Sequence, residues 1–218
     1  MILKFLVHSN VLKMLDLWMN ILHGTIPATF AKGNTFRNFN LNGNQLEGLL
    51  PQTLANFRNL EVLDLGSNKI NRTFPYWLEG LLKLQVLAIR SKKLQGRIDN
   101  PKTNSPFPNL RIIGISNNDF NGPLLIKYLK YLSRRKSCYE IYRSWVLSRF
   151  VEYNDYWVAC WVGDNQNYLH NSWFLNNSFT VEMPKIIGML NSLKGLKFSH
   201  NNLIGYILSS FGNLTNLE

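Results

Sequence analysis

Several features that define common classes of protein are scarce or missing in this sequence. Its 218 residues contain only two cysteines, Cys138 and Cys160, too few for a disulfide scaffold and without the further cysteines or paired histidines of a zinc site. No stretch approaches the roughly 20 uninterrupted apolar residues that cross a bilayer, so we expect no membrane span in this chain. The apolar start, Met1 to Val7, is interrupted by Lys4 and is followed by no small-residue cleavage site, so we predict no signal peptide.

Catalytic motifs are missing as well. The four histidines form no HExxH motif, and the sequence contains no Walker loop, GxGxxG run, GxSxG elbow or kinase catalytic loop. We therefore predict no catalytic residues, no metal ligands and no cofactor. The expected protein is not an enzyme.

Acidic residues are few, since 13 Asp and Glu stand against 24 Lys and Arg, and the formal net charge is +11. The 45% hydrophobic content excludes disorder as the main state. A strongly basic chain is compatible with nucleic-acid binding, but the sequence contains no motif of a nucleic-acid-binding fold. We expect no nucleic-acid partner and interpret the charge as affinity for an anionic or acidic ligand.

Leucine and asparagine, in contrast, are abundant, with 35 leucines and 28 asparagines. A sequence repeat explains this abundance, because Asn20, Asn44 and Asn68 lie 24 residues apart. The first unit reads LxxLxLxxNxLxGxIP. Seven units share this register, with Lys92 in the asparagine position of the fourth and a weak sixth unit; the later asparagines are Asn118, Asn177 and Asn201.

Each position of the unit has a physical reason. The LxL core predicts a short strand whose leucines point inward, and the asparagine amide can pair with backbone groups where the chain turns out of that strand. The glycine permits a backbone conformation closed to other residues, and the proline begins the outer arc. One coil cannot bury its own leucines, so neighbouring coils must stack. The prediction is an α/β-type repeat solenoid with short parallel strands on the concave face and a mostly irregular or 3-10 convex side.

These units resemble leucine-rich repeat proteins, and the form LxxLxxLxLxxNxLxGxIP is typical of plant extracellular receptors. The passage from Asp99 to Pro123 resembles the segment before the island, a non-repeat insertion, in plant receptor-like proteins of the disease-resistance type. We expect residues 1–11 to precede the repeats, residues 12–128 to hold repeats one to five, residues 129–168 to be the island, and residues 169–218 to hold repeats six and seven and the start of an eighth.

The resemblance implies an ectodomain at the extracellular side of the plasma membrane. Such a protein would perceive a peptide, protein or small ligand in defence or development and signal through co-receptor kinases. Because the chain lacks the family's cysteine-paired cap, acidic juxtamembrane stretch and membrane helix, we expect a C-terminal ectodomain fragment. It would come from a truncated gene, a partial gene model or a pseudogene.

Two alternatives stay open. One is a secreted inhibitor of cell-wall-degrading enzymes, although such inhibitors resemble solenoids without an island. The other is an inactive remnant, which Lys92 and the prolines replaced by Leu125 and Leu208 would favour.

Binding in a solenoid of this kind is expected from exposed residues on the concave strands. Tryptophan and arginine are enriched in binding hot spots, so Trp18 and Arg90 are the first candidates, although a single exposed residue is often incidental. The fourth unit also places Val86 and Ala88 on this face. Further concave candidates are Asn42, Lys197 and His200.

The island offers a second candidate surface. Its aromatic residues, from Tyr128 to Tyr168, alternate with basic ones and would either pack on the solenoid or contact a ligand. Cys138 and Cys160 would form a disulfide or remain a free pair. The island candidates for ligand contact are Arg134, Arg135, Tyr139, Trp145 and Trp157. The glycosylation candidates, each in an N-x-S/T sequon, are Asn71, Asn176 and Asn213.

Overall fold

A computed structural model of the chain describes residues 11–30, 32–71, 73–90, 94–110, 112–122, 128, 171–173, 177–180, 182–189 and 195–215. These residues form short strands separated by turns and 3-10 helices. In chain order the strands are β1 (Met14–Asp16), β2 (His23–Thr25), β3 (Asn38–Asn40), β4 (Gln45–Gly48), β5 (Val62–Asp64), β6 (Lys69–Ile70), β7 (Val86–Ala88), β8 (Gln95–Arg97), β9 (Ile112–Gly114), β10 (Asp119–Gly122), β11 (Asn171–Trp173), β12 (Ser178–Phe179) and β13 (Gly195–Lys197).

All odd-numbered strands form one sheet and the even-numbered strands form two more. The first is a seven-stranded parallel sheet in the order β1-β3-β5-β7-β9-β11-β13. Two three-stranded parallel sheets, β2-β4-β6 and β8-β10-β12, lie beside it. Leu15 pairs with Phe39 and Phe39 pairs with Leu63, so the register of the large sheet is the 24-residue period of the sequence. The predicted solenoid is thereby confirmed.

The convex side carries the 3-10 helices η1 (Gln52–Asn56), η2 (Tyr76–Leu78), η3 (Lys185–Met189) and η4 (Ser209–Asn213). Pro51 and Pro75 are the N-cap residues of η1 and η2, in the position where the motif has its proline. A fixed φ favours this turn into the outer arc. Leu208 caps η4 with the same extended backbone as Pro51, so the turn forms there without proline.

The core lies between the large sheet and the convex turns and is filled by the repeat leucines and by phenylalanines. Leu41, Leu63 and Leu87 are fully buried. Around the second repeat, where aromatic residues replace leucines, Phe36, Phe39 and Phe57 pack against one another and against Phe30 of the first coil, with ring centroids 4.8 to 6.0 Å apart, mostly edge to face. The aromatic substitutions of this repeat therefore complete the core rather than disturb it.

The repeat asparagines form the expected ladder. Asn68 Nδ2 donates to the carbonyls of Leu41, Leu65 and Gly66 at 2.9, 3.0 and 3.0 Å, and its Oδ1 accepts from the N–H of Leu46 at 3.0 Å. Asn44 and Asn118 repeat this pattern one coil before and two coils after. Each side chain therefore joins its own coil to the preceding one and satisfies buried backbone groups. Lys92 lies outside the described residues.

The motif glycines adopt the backbone conformation that their position predicts. Gly24, Gly48, Gly96, Gly122 and Gly205 all have positive φ, between 78° and 91°. An L side chain is strained in this region, so the glycine position is set by the backbone.

The large sheet continues directly from repeat five to repeat six. Asn171 pairs with Ile112 and Trp173 pairs with Gly114. Asn177 Nδ2 donates to the Ile115 carbonyl at 3.1 Å across this step. Adjacent strands thus flank residues 129–168, which lie outside the described part of the chain. Among the described residues, no helix has the length and apolar character needed to cross a membrane.

Candidate functional site

The concave face of the first four repeats presents apolar side chains at one end. Met14 is 39% exposed and Trp18 is 36% exposed. Both come from the first repeat, and Met19, which follows Trp18 in the turn, is 63% exposed. The side chain of Met19 lies on the next coil, since a Cβ at Gly43 would be 2.8 Å from Met19 Sδ. The exposed tryptophan predicted from the sequence is therefore part of an apolar group on this face.

A hydrogen-bonded polar network forms the floor beside these side chains. Asp16 Oδ1 accepts from Asn40 Nδ2 and from the Trp18 N–H, each at 3.1 Å. Asn40 Oδ1 in turn accepts from the Asn42 N–H at 3.1 Å, and Asn42 Nδ2 donates to Asp64 Oδ2 at 3.0 Å. We call Asp16, Asn40, Asn42 and Asp64 the concave network. Because it links three successive coils, it holds the polar groups of this face in fixed positions.

Asp64 is the buried end of the network, on the third coil. Its side chain is 2% exposed, and Oδ1 accepts from the Gly66 N–H at 2.9 Å. Burial raises the pKa of Asp64, while the Arg90 charge and the bonds from Asn42 and Gly66 oppose that rise. Asp64 is not among the binding residues predicted from the sequence. The available signal was its repeat position, which it shares with Asp16 and Asn40.

Arg90 reaches back from the fourth repeat onto the third. A Cβ at Gly66 would be 2.8 Å from Arg90 Cγ and 3.0 Å from Arg90 Nε, so the arginine side chain lies across this glycine. There it is half-buried and close enough to Asp64 to act on its charge. Trp18 and Arg90 thus lie at opposite ends of the row that also contains Asn42 and Gly66.

The expected exposure of three other concave positions is wrong. Asn42 is only 3% exposed because its amide is turned into the concave network. Val86 and Ala88 are 3% and 2% exposed. They pair with Val62 and Asp64 on one side and with Ile112 and Gly114 on the other, so adjacent strands cover these short side chains.

The other predicted residues are placed as follows. His200 is exposed, with φ of 57°, in the turn after β13. Lys197 is the last residue of β13, far along the sheet from Trp18. Asn71 is exposed directly after β6, and Asn213 is exposed at the end of η4. The candidates outside the described residues are Arg134, Arg135, Cys138, Tyr139, Trp145, Trp157, Cys160 and Asn176.

Tyr128 differs from the expectation for the island aromatics. It is 3% exposed and packs on Phe74 and Phe107, with ring centroids 5.5 and 6.0 Å apart. It belongs to the solenoid core and is not available to a ligand. In the described part of the chain, no group of three His, Cys, Asp or Glu residues is close enough to hold a metal ion.

The fold defines a class of protein, the repeat solenoid with short parallel strands on one face. The leucine-rich repeat family model matches residues 10–70 and 58–120, together just over half of the chain, and a second leucine-rich repeat model matches residues 192–214. The chain belongs to the leucine-rich repeat family. No curated protein sequence matches it.

Solved structures show the same fold. The crystal structure of PEPR1–AtPEP1 has a TM-score of 0.72 at 21% identity, covering 97% of this chain and 24% of that one. The plant peptide hormone receptor RGFR1 in complex with RGF2 has a TM-score of 0.70 at 23% identity, covering 98% of this chain and 32% of that one. The Arabidopsis receptor kinase HAESA ectodomain in complex with an IDA peptide hormone ligand has a TM-score of 0.62 at 19% identity, covering 97% of this chain and 34% of that one. The chain therefore spans a quarter to a third of the length of these proteins.

Proposed function

We propose that this chain is a non-catalytic binding module from the extracellular part of a plant receptor-like protein, and that it holds an extended peptide on the concave face of repeats one to four. The observation that carries the proposal is the exposed group Met14, Trp18 and Met19 beside a rigid polar floor. Two of the similar structures contain peptide hormones, which supports a peptide as the ligand class.

The geometry suits a peptide for physical reasons. Trp18 offers a large apolar surface with few rotatable bonds, so covering it gains contact area at a low entropic cost. Because the concave network already has its hydrogen bonds within the protein, the floor does not rearrange when a ligand arrives. Arg90 at the other end supplies positive charge to the same face.

The finer parts of the proposal follow from the family resemblance. The parent protein acts at the plasma membrane, in defence or developmental signalling, together with co-receptor kinases. Exposed Asn71 and Asn213 carry N-linked glycans in the secretory pathway, on the lateral and convex sides, which leaves the concave face uncovered. Residues of the island contribute further ligand contacts.

The proposal is tested by selecting peptides that bind the protein and then comparing their affinity for two matched variants. A random peptide library is panned on the chain, and the enriched peptides are titrated against Trp18→Ala and Tyr206→Ala. We expect the first variant to weaken binding by at least about tenfold, as for a central aromatic hot spot. Tyr206 is an aromatic control, 91% exposed and outside the concave sheet, and its substitution should leave affinity unchanged.

Two results would contradict this proposal. If the selected peptides bound Trp18→Ala as tightly as the unmodified chain, the concave group would not be the binding surface. If Tyr206→Ala caused the loss instead, the peptides would be held by the exposed apolar residues near the seventh repeat, which include Ile204 and Ile207.

A further inference from the structure

Glu79 is a buried carboxylate on the convex side, away from the concave face. It follows η2 and has no exposed surface. No ion pair to Glu79 occurs among the described residues, whose two salt bridges are Arg37–Glu61 and Arg97–Asp99. Burying a charge without a counter-ion is costly unless hydrogen bonds compensate it. The surroundings of Glu79 must therefore supply those bonds.

Four donors from two separate parts of the chain converge on this carboxylate. Glu79 Oε2 accepts from the N–H groups of Lys102 and Thr103 at 2.8 and 3.0 Å and from Thr103 Oγ1 at 3.3 Å. Glu79 Oε1 accepts from the hydroxyl of Tyr128. The Glu79 carbonyl also accepts from the Phe107 N–H at 2.8 Å.

These donors come from the two places where the sequence departs from the 24-residue period. Lys102 and Thr103 lie in the stretch that makes repeat four longer than its neighbours, and Tyr128 immediately precedes the expected island. The Lys102 ammonium does not neutralise Glu79, since it lies over the Tyr76 ring, 5.5 Å from the centroid. Burial, together with the bond to Glu79, raises the pKa of Tyr128, so its hydroxyl stays protonated and remains a donor.

We propose that Glu79 is a positioning residue that couples the chain at Tyr128, where the insertion begins, to the Lys102–Thr103 loop of repeat four. One carboxylate holds both segments. Withdrawal of Tyr128 leaves a buried oxygen without its partner, and the carboxylate then turns towards water and releases the loop amides. An event that displaces the start of the insertion is thereby transmitted to the convex loop of another repeat.

Amide hydrogen exchange on the full chain tests the coupling without any ligand. Tyr128→Phe removes the hydroxyl and keeps the ring on Phe74 and Phe107. We expect exchange at Lys102 and Thr103 to become about tenfold faster, because the loss of a hydrogen bond to a charged group reduces the local opening free energy. Tyr76→Phe is the matched control: the Tyr76 hydroxyl donates to the Arg97 carbonyl and accepts from the Asp99 N–H, so exchange should rise at Asp99 alone.

Coupling in the reverse direction, from the Lys102–Thr103 loop to Tyr128, is measured by the chemical reactivity of Tyr128. Thr103→Val removes only the hydroxyl donor of the loop, and we expect faster nitration of Tyr128 by tetranitromethane. Tyr206 serves as the exposed internal standard in the same sample. Unchanged exchange at Lys102 and Thr103 in Tyr128→Phe would overturn the proposal. Equal acceleration of these amides in Tyr76→Phe would also overturn it, since that result indicates general loosening rather than coupling through Glu79.

Discussion

At the scale of single residues, the repeat asparagine is a structural element in its own right. A carboxamide has both donors and an acceptor, so one side chain can pair with carbonyls of two coils and with an N–H of the preceding coil. Asn68 does this while 5% exposed. Leucine at the same position would fill the space but would leave these backbone groups unpaired.

Replacement of Asn68 by alanine should therefore destabilise the solenoid strongly. Asn68→Ala leaves several buried backbone groups without partners, and we expect a loss of about 3 kcal/mol in the free energy of unfolding. Urea unfolding followed by circular dichroism measures it. Asn20→Ala is the control, because Asn20 is exposed and its bonds to the Leu17 and Trp18 carbonyls can be replaced by water. A cost above about 1 kcal/mol at Asn20 would contradict the dependence on burial.

At the scale of elements, the convex turns pack closely enough to determine where a side chain is allowed. η3 and η4 are neighbours, and a Cβ at Gly188 in η3 would lie 2.4 Å from the Ser210 carbonyl oxygen of η4. That atom belongs to the backbone, so it cannot move aside as a flexible side chain can. Gly212 in η4 has no neighbouring atom within 4 Å of the same position.

The two glycines give a paired prediction. Gly188→Ala should force η3 and η4 apart and reduce the stability of the last repeats by about 2 kcal/mol. Gly212→Ala should be neutral or should stabilise by up to about 1 kcal/mol, because alanine restricts the unfolded chain. Native-state hydrogen exchange at Phe211 and Leu214 reports both effects locally. Equal protection in the two variants would show that the close packing of η3 on η4 does not contribute to stability.

At the scale of the whole molecule, the large sheet passes from β9 directly to β11, although a long stretch of sequence separates the two strands. Asn171 pairs with Ile112, and the Phe120 N–H donates to Asn177 Oδ1 at 3.2 Å, a contact that spans 57 residues. Loop closure costs little more for a long loop than for a short one. The pairing of β9 with β11 is therefore compatible with the expected island between them.

Replacing residues 129–168 by a flexible Gly/Ser linker of equal length should leave the repeats folded. The strand pairs on each side of the junction supply the contacts that keep repeats five and six together. Far-UV circular dichroism and hydrogen exchange of β3 to β9 provide the measurement. If protection were lost as far away as β3 and β5, residues 129–168 would be part of the core and not an insertion.

The sequence by itself determined the repeat, its register and its ladder. A period of 24 residues places Leu15, Phe39 and Leu63 side by side once the coils stack, so a local pattern already specifies long-range pairing. The roles of the motif glycine and asparagine follow for the same reason. The position of Trp18 outside the repeat leucines predicts its exposure, and it is 36% exposed.

Only the tertiary structure decided which contacts are made by residues outside the repeat motif. Burial of Asn42 depends on Asp64 in the next coil, and Val86 and Ala88 are buried in β7, which pairs with a strand on each side. Glu79 and Tyr128 meet across 49 positions of the chain, a separation that is not a multiple of the 24-residue period. A periodic pattern fixes what recurs in every coil, whereas a contact made once depends on the three-dimensional path of the chain.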